Sequence, residues 1–400
     1  HQAEDLRHLM HLTEEQQAVL DGHEGVVMAN CLRTLVQYGK AFDAPRLVPI
    51  KSAHLTGSFK IFFYTAYYEI VRQLVEAGIR VKVPTTLNPR PGYDYAPQNR
   101  IVFKSQKWHE EQLEALGVTP NYSCVCYHGA NVPEYGDVLG WAESSAIIYA
   151  NSVIGARSNR NSIMVDICQA VTGLTPEFGY LYDENRKGDV LIKLDVEEMD
   201  APALGFLVGQ IAVDRNPVLT HYPFTDAELK NMGAAMASSG GVTMFGVEGL
   251  TPEAPDLDTA FGGREPAETV TITQQDIDGV RAERSVQKGA SQIAFGCPQM
   301  TLDEVTEISQ HFVGKKIAKP VSFHLMPDAA DAFSRTELYQ DVLNAGVQIQ
   351  RHCPLAGLSL RIGLGKKDVL TPSGKLYYYL EGTRYGNLDD VLREAGVLDS

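Results

Sequence analysis

Trp141-Ala-Glu-Ser-Ser-Ala-Ile-Ile-Tyr-Ala-Asn-Ser-Val-Ile-Gly-Ala-Arg-Ser-Asn-Arg-Asn161 is the stretch around which the chain is organised. Trp141, Ala142, Ala146, Ile147 and Ala150 make an apolar opening that predicts a helix from Trp141 onward. The stretch ends in a polar run, Gly155 to Asn161, with Arg157 and Arg160 three apart and Asn159 between them. Guanidinium groups grip carboxylates and phosphates bidentately, and small neighbours let a ligand approach. A solvated helix end is the plain alternative. Glu143, Ser144 and Ser145 tip the balance towards a ligand, because polar groups set into an apolar segment are costly without partners.

The composition sets the frame. Four hundred residues predict two or three lobes with sizeable cores, and 44% hydrophobic with 21% charged residues is ordinary for a soluble globular chain. A net charge of −15 leaves no basic stripe for nucleic acid, while a local basic pocket for a small anion remains compatible. No apolar run reaches the roughly 20 residues that span a bilayer, and no signal-peptide pattern is present. The expectation is a cytoplasmic protein without membrane or nucleic-acid partners. Met10-His-Leu-Thr-Glu-Glu resembles a natural start, so residues 1–9 read as a vector or linker remnant. The six cysteines make neither a disulfide framework nor paired C-x-x-C units.

Along the chain, Thr13 with Gln16 forms a capping box. Val27, Cys31 and Leu35 share one helix stripe, which puts Cys31 in the core. Arg46–Ile50 predicts a strand, 61–76 a helix and Ile79–Pro84 a second strand, together a right-handed βαβ unit. Between the first two lies Lys51-Ser-Ala-His-Leu-Thr-Gly-Ser-Phe-Lys60. Lysines and hydroxyls at such a turn are placed to meet an anion at a helix N-terminus, and an ordinary loop explains them equally well. Pro89–Asn99 is a long loop, 106–116 a helix, Tyr122–Tyr127 strand-like, and a helix at 162–171 carries Cys168 on its apolar face. Then come strand 189–194, helices 201–213 and 226–238, and strand 242–246. A loop at 248–268, rich in Pro, Gly and acid, is the lobe boundary, separating lobes 10–247 and 269–400. Helix 273–286, strand 291–295, helix 302–312, strand 319–324, helix 328–345, strand 347–350, strand 376–380 and helix 388–395 complete the chain. Alternation of this kind predicts an α/β fold of parallel sheets covered by helices.

Cys297 stands between a strand end and the capping box of Thr301 and Glu304; Cys353 follows its strand in the same way, and Cys124 lies near the end of its own run. Ligands of open α/β sheets bind beyond the carboxyl ends of strands. Spacing alone leaves two readings open, three thiols on one metal centre or three unrelated cysteines. Gly363–Lys367 lacks phosphate-loop spacing, Thr371–Lys375 reads as a turn, and no nucleophile-elbow, H-E-x-x-H or Rossmann fingerprint occurs.

Ala142–Arg160, with Leu174-Thr-Pro-Glu-Phe-Gly179 and Asp183-Glu-Asn-Arg186, resembles the signature of the aconitase X family, large catalytic component. The resemblance runs over nearly all of residues 10–400. It implies an aconitase-like fold, multi-lobed parallel sheets around a central cleft, and a hydro-lyase. It also implies that Cys124, Cys297 and Cys353 hold an iron–sulfur cluster with one iron open as a Lewis acid, of the 2Fe-2S type if the enzyme is the hydroxyproline kind. Cys126 departs from the family, standing where relatives often have proline. Ser58, Lys60, Glu143, Ser144 and Ser145 become candidate catalytic residues. Lys51, His54, Thr85, Arg157, Asn159 and Arg160 become candidate substrate-binding residues. Glu143 as an ion-pair buttress for Arg157 or Arg160, and His54 as a hydrogen-bonded structural histidine, stand beside those roles. Two substrates are attributed to the family. His54-Leu-Thr-Gly-Ser-Phe-Lys60 looks more like the type that converts cis-3-hydroxy-L-proline to Δ1-pyrroline-2-carboxylate, and mevalonate 5-phosphate dehydration by a large subunit is the alternative. A catalytically inactive small-anion binder of the same fold is a further alternative. The family also implies a small swivelling domain, as a separate subunit or a fused piece, not found in this sequence; the chain alone is then expected to be nearly inactive.

Overall fold

The computed structural model describes residues 10–57, 60, 65–92, 97–282, 290–359 and 368–399. Ser58 and the run 361–367 lie outside them. The chain divides into two compact units, 1–88 with 103–121 and 126–187, and 89–102 with 122–125 and 188–400.

Among its described residues the first unit holds five strands. β1 (Leu47–Pro49) pairs antiparallel with β5 (Leu174–Pro176). β2 (Ser52–Leu55) is the centre of a parallel sheet, flanked by β3 (Thr85–Leu87) and β4 (Leu139–Trp141). The expected βαβ unit exists, but its strands are displaced towards the C-terminus: 46–50 is occupied by β1, and 79–84 precedes β3 without being strand. All four residues of β2 are buried, so the strand shows no alternation, and its polar members are inside because they are bonded. The Trp141 indole donates to Ser52 Oγ at 3.1 Å.

The opening stretch is a strand that turns into a helix. Trp141 sits opposite His54 in the sheet and ends β4. The helix begins only at Ser144, with Glu143 as its N-cap. It runs to Tyr149, loosens into a π-turn over Ala150–Ile154, and stops at Gly155 with φ +80°. Helices Val26–Ala41 and Ile163–Thr172 pack together, and Cys31 and Cys168 are buried there as expected.

The second unit holds two parallel sheets. β6 (Val190–Asp195), β7 (Pro217–Leu219), β8 (Gly246–Val247) and β9 (Glu268–Thr273) lie in the order β8-β7-β6-β9. The 248–268 segment therefore connects the two edges of one sheet instead of separating two lobes. Its helix Leu257–Phe261 packs Ala260 and Phe261 on Leu191 and Val218.

β10 (Gln292–Met300), β11 (Val321–Leu325), β12 (Gln348–Gln350), β13 (Val369–Thr371) and β14 (Thr383–Tyr385) form the other sheet, in the order β12-β11-β10-β13-β14. Two expectations change here. Gly374–Tyr379 is a helix capped by Ser373, not a strand; the strand is β13 just before it. The long helix expected over 328–345 is two helices, Pro327–Phe333 and Glu337–Ala345. Between the sheets, helix Asp226–Ser239 lies against both Ala201–Ala212 and Gly374–Tyr379. The approach needs Gly205, where a Cβ would stand 2.2 Å from the Met232 carbonyl oxygen.

Candidate active site

At the carboxyl ends of β2, β3 and β4 the first unit gathers a row of polar side chains. His54 is fully buried, with Nδ1 2.7 Å from Thr86 Oγ1 and Nε2 2.9 Å from Asn88 Oδ1. Asn88 Nδ2 donates to Glu143 Oε2 at 2.9 Å, and the Ser145 hydroxyl donates to Glu143 Oε1, also at 2.9 Å. Burial pushes the His54 pKa down to about 4, outweighing its bond to Asn88 and the nearby Glu143 charge, so the ring is neutral. Both ring nitrogens are engaged, and the substrate-binding role expected for His54 gives way to a structural one. Period two along β3 puts Thr86 and Asn88 on one face and Thr85 on the other. Thr85 is buried and donates to the Val83 carbonyl at 2.9 Å. Asn88, missed in the sequence, was signalled by that alternation.

The other candidates separate. Lys60 is half-buried, its Nζ 4.4 Å from the Tyr68 ring centroid and 4.6 Å from that of Trp108, and burial lowers its pKa. Its own N–H donates to Gln106 Oε1 at 2.8 Å. The preceding turn is tied on both sides: Thr56 N–H donates to the Asp166 carboxyl at 2.9 Å, and the Gly57 carbonyl lies 2.6 Å from His109 Nε2. Lys51 is exposed and precedes β2, so it stands at the amino end of the sheet, away from Glu143. Ser144 is half-buried in the first turn of its helix. Arg157 donates to the Leu181 carbonyl at 2.8 Å and pairs with Asp183, so Glu143 is not its buttress. Asn159 holds the next turn, donating to the Phe178 carbonyl and accepting from Tyr180 N–H, both at 2.9 Å. Arg160 is exposed.

Cys124, Cys297 and Cys353 all belong to the second unit. Cys124 and Cys297 are buried and Cys353 nearly so. Burial pushes the Cys353 thiol up to about 12. The neighbouring Cys124 adds to that rise, while Lys375 and the Leu355 and Ala356 N–H groups oppose it. Leu355 packs on the apolar group that includes Cys297, Val369 and Leu376. Ser373 Oγ donates to the Cys297 carbonyl, so the Thr371–Lys375 turn lies at the thiols. Arg90 stacks 3.8 Å over the Tyr122 ring, and its carbonyl accepts from Cys353 N–H at 2.9 Å. Among the described residues no three His, Cys, Asp or Glu side chains stand close enough to enclose a metal ion. The donor set nevertheless suits an iron–sulfur centre in kind: thiols from three separate segments, two within electrostatic reach, with a buried lysine to offset thiolate charge. Cys126 is buried in the other unit, where its carbonyl accepts from Asn131 N–H.

A cavity of about 520 Å³ in the second unit reaches Cys297 and Gly296. Seven carboxylate side chains line it against one guanidinium, Arg281. Such a lining repels a carboxylate or phosphate, so size does not make it the substrate's place.

Three domain profiles of aconitase X match consecutive parts of the chain: the first domain over residues 9–184, the second over 188–282 and the third over 290–397. A phosphomevalonate dehydratase large subunit from Thermococcus kodakarensis is 32% identical over 403 residues, covering 96% of this chain and 98% of the relative. A cis-3-hydroxy-L-proline dehydratase from Pseudomonas aeruginosa is 32% identical over 325 residues, covering 75% of this chain and 54% of the relative. The crystal structure of Thermococcus kodakaraensis aconitase X in its holo-form superposes with a TM-score of 0.86 at 30% identity, covering 96% of this chain and all of that one. Parallel sheets, a held carboxylate at the strand ends of the first unit and three thiols in the second, together with these relatives, define a hydro-lyase. The chain belongs to the aconitase X family.

Proposed function

We propose that this chain is the large subunit of a cytoplasmic phosphomevalonate dehydratase, which removes water from mevalonate 5-phosphate together with a small subunit. The observation that carries this reading is the extent of the match: the phosphomevalonate relative aligns over 96% of this chain and 98% of itself, whereas the hydroxyproline enzyme aligns over only 54% of its own length. It reverses the preference drawn from His54–Lys60. That segment, with Phe59 before Lys60, still supports the second reading, cis-3-hydroxy-L-proline dehydration. The non-catalytic binder is set aside, because the relatives over the whole chain are enzymes.

Dehydration takes a proton and a hydroxyl from neighbouring carbons. Cys124, Cys297 and Cys353 would hold the iron–sulfur cluster, and such a group supplies an open Lewis-acid position for the departing hydroxyl. Glu143 is the residue assigned to the proton, since Asn88 and Ser145 hold both its oxygens as acceptors. Lys60 and Arg160 are the cations left to bind the anionic end of the substrate. Lys60 is pre-set between two rings and Arg160 is exposed, while Arg157 is spent on Leu181 and Asp183. Lys375 sits by Cys353 and offsets thiolate charge.

The test is water loss followed by mass spectrometry. The chain is co-purified anaerobically with its small subunit, reconstituted with iron and sulfide, and offered each substrate separately. Turnover of mevalonate 5-phosphate with none of cis-3-hydroxy-L-proline is expected. The opposite pattern overturns the proposal in favour of the second reading.

A further inference from the structure

The polar row in the first unit has a direction. Asn131 Nδ2 lies 3.0 Å from both the Ala53 carbonyl and Thr86 Oγ1, so this amide end donates. The Thr86 hydroxyl accepts there, and its Oγ1 lies 2.7 Å from His54 Nδ1; because Asn88 Oδ1, which can only accept, faces the other ring nitrogen, the hydroxyl gives its proton to Nδ1. A neutral imidazole that accepts at Nδ1 carries its proton on Nε2. That N–H donates to Asn88 Oδ1 at 2.9 Å, which turns the other end of the Asn88 amide, Nδ2, towards Glu143 Oε2 at 2.9 Å. Ser145 supplies Oε1 from the other side, with its hydroxyl at 2.9 Å and its N–H at 3.4 Å. The backbone reinforces this: Asn88 N–H donates to the Leu55 carbonyl at 3.0 Å, which fixes where β3 releases the asparagine. Every link is buried except the last; Asn131, Thr86, His54 and Asn88 are each less than a tenth exposed, and Glu143 is half-buried.

We propose that His54 is a positioning residue: its Nε2–H, relayed through the Asn88 amide, fixes Glu143 as an ionised acceptor at the carboxyl ends of the sheet. This rests on the reading of Glu143 as the proton-handling group. The reasoning is one of alternatives. An asparagine amide free to flip presents Glu143 with an oxygen as readily as with an N–H, and an oxygen facing a carboxylate is repulsive. The flip is blocked because an oxygen is demanded on the His54 side, and that demand holds only while Nε2 bears the proton. Nε2 bears it because Thr86, itself oriented by Asn131, gives a proton to Nδ1. Four segments distant in sequence thus set the electrostatics of one carboxylate, and none but Glu143 need touch the substrate. The nearby charge acting on His54 is Glu143 itself, which makes the ring and the carboxylate one unit.

The pair of variants that separates positioning from mere support is His54→Gln and His54→Asn. A glutamine amide reaches the place of Nε2–H and keeps the donor to Asn88. An asparagine amide reaches only the place of Nδ1 and loses it. Both remove the ring and its packing. With glutamate labelled at the carboxyl carbon, and the Glu143 signal assigned by its loss in Glu143→Gln, the titration of that one group is followed by NMR on the full chain. The midpoint is expected to rise by about one pH unit in His54→Asn, because a hydrogen bond to the charged form is lost, and to hold in His54→Gln. In the wild type, nitrogen-labelled histidine, with the His54 signal assigned by its loss in His54→Gln, should show that ring protonated at Nε2 alone. Equal midpoints in the two variants, or a His54 ring protonated at Nδ1, overturn the proposal. Neither readout needs turnover, so failure of both substrates to lose water would count against the proposed function without touching this result. Where turnover is found, the acid limb of kcat/KM should move with the midpoint in His54→Asn and be restored in His54→Gln.

Discussion

Gly296 offers the sharpest test of how the second unit presents Cys297. Its φ is +105°, a region that side chains rarely adopt, and a Cβ placed on it would stand 2.2 Å from the His324 carbonyl oxygen and 3.0 Å from His324 Cβ. Ordinary contact is about 3.4 Å, so Gly296→Ala must open β10 from β11 by roughly 1 Å. The backbone strain is about 1–2 kcal/mol and the overpacking about 1–3 kcal/mol, giving a loss of roughly 2–5 kcal/mol. The displacement cannot stay local. His324 is fully buried, with Nδ1 3.0 Å from the His352 carbonyl, next to Cys353. Two of the three candidate thiols, Cys297 and Cys353, are therefore disturbed at once. Urea unfolding should show a lowered midpoint with an unchanged slope, and anaerobic reconstitution should bind less iron and sulfide per chain, approaching Cys297→Ala. Gly279→Ala is the control: nothing lies within 4 Å of its added Cβ, and it sits in helix Gln274–Ala282, where alanine is neutral or stabilising. A Gly296→Ala protein with wild-type midpoint and full iron content would refute both the steric reasoning and the assignment of Cys297.

Two further outcomes follow from buried or committed charges. Burial raises the Asp166 carboxyl to about 8, well above its unfolded value, so the folded chain holds an extra proton between about pH 4 and 8. Its contribution to stability is complete below that window and is lost as pH rises through it. Asp166→Asn should therefore gain on the wild type by an amount on the order of 3 kcal/mol between pH 5 and 8, read as the Tm difference at the two pH values; an unchanged difference speaks against a buried protonated acid. Arg157 and Arg160 should part company. Arg157→Ala should lower the unfolding free energy measured in urea by about 1 kcal/mol or more for the lost bonds to Leu181 and Asp183, and leave KM alone. Arg160→Ala should raise KM several-fold with little change in stability. A KM effect from Arg157 alone would reverse that assignment.

Both units show how far local pattern reached. The Thr13–Gln16 and Thr301–Glu304 capping boxes form as read, because a cap and its partner are three residues apart and need nothing else. Cys31 and Cys168 are buried as their helical stripes require. The strands slipped where burial on both faces erased the alternation that marks a strand, as in Ser52–Leu55. The apolar neighbours of Trp141 suit helix and strand alike, and its pairing with His54 in the sheet makes it strand. The loop at 248–268 was a sound turn signal, but β6 pairing with β9 across it made it internal to one sheet.

What the sequence alone determined is the kind of protein: an alternating α/β chain, its capped helices, its buried helix cysteines and a long signature shared with a family of hydro-lyases. The tertiary structure decided which residues act together. His54, Asn88, Asn131 and Glu143 are brought into one hydrogen-bonded row by parallel pairing of three short strands, and Arg157 is bonded to a turn some 24 residues further on. The reason is physical. Caps and stripes are enforced within a few residues, whereas a hydrogen bond between strand ends depends on register, and register is set by the packing of the whole sheet.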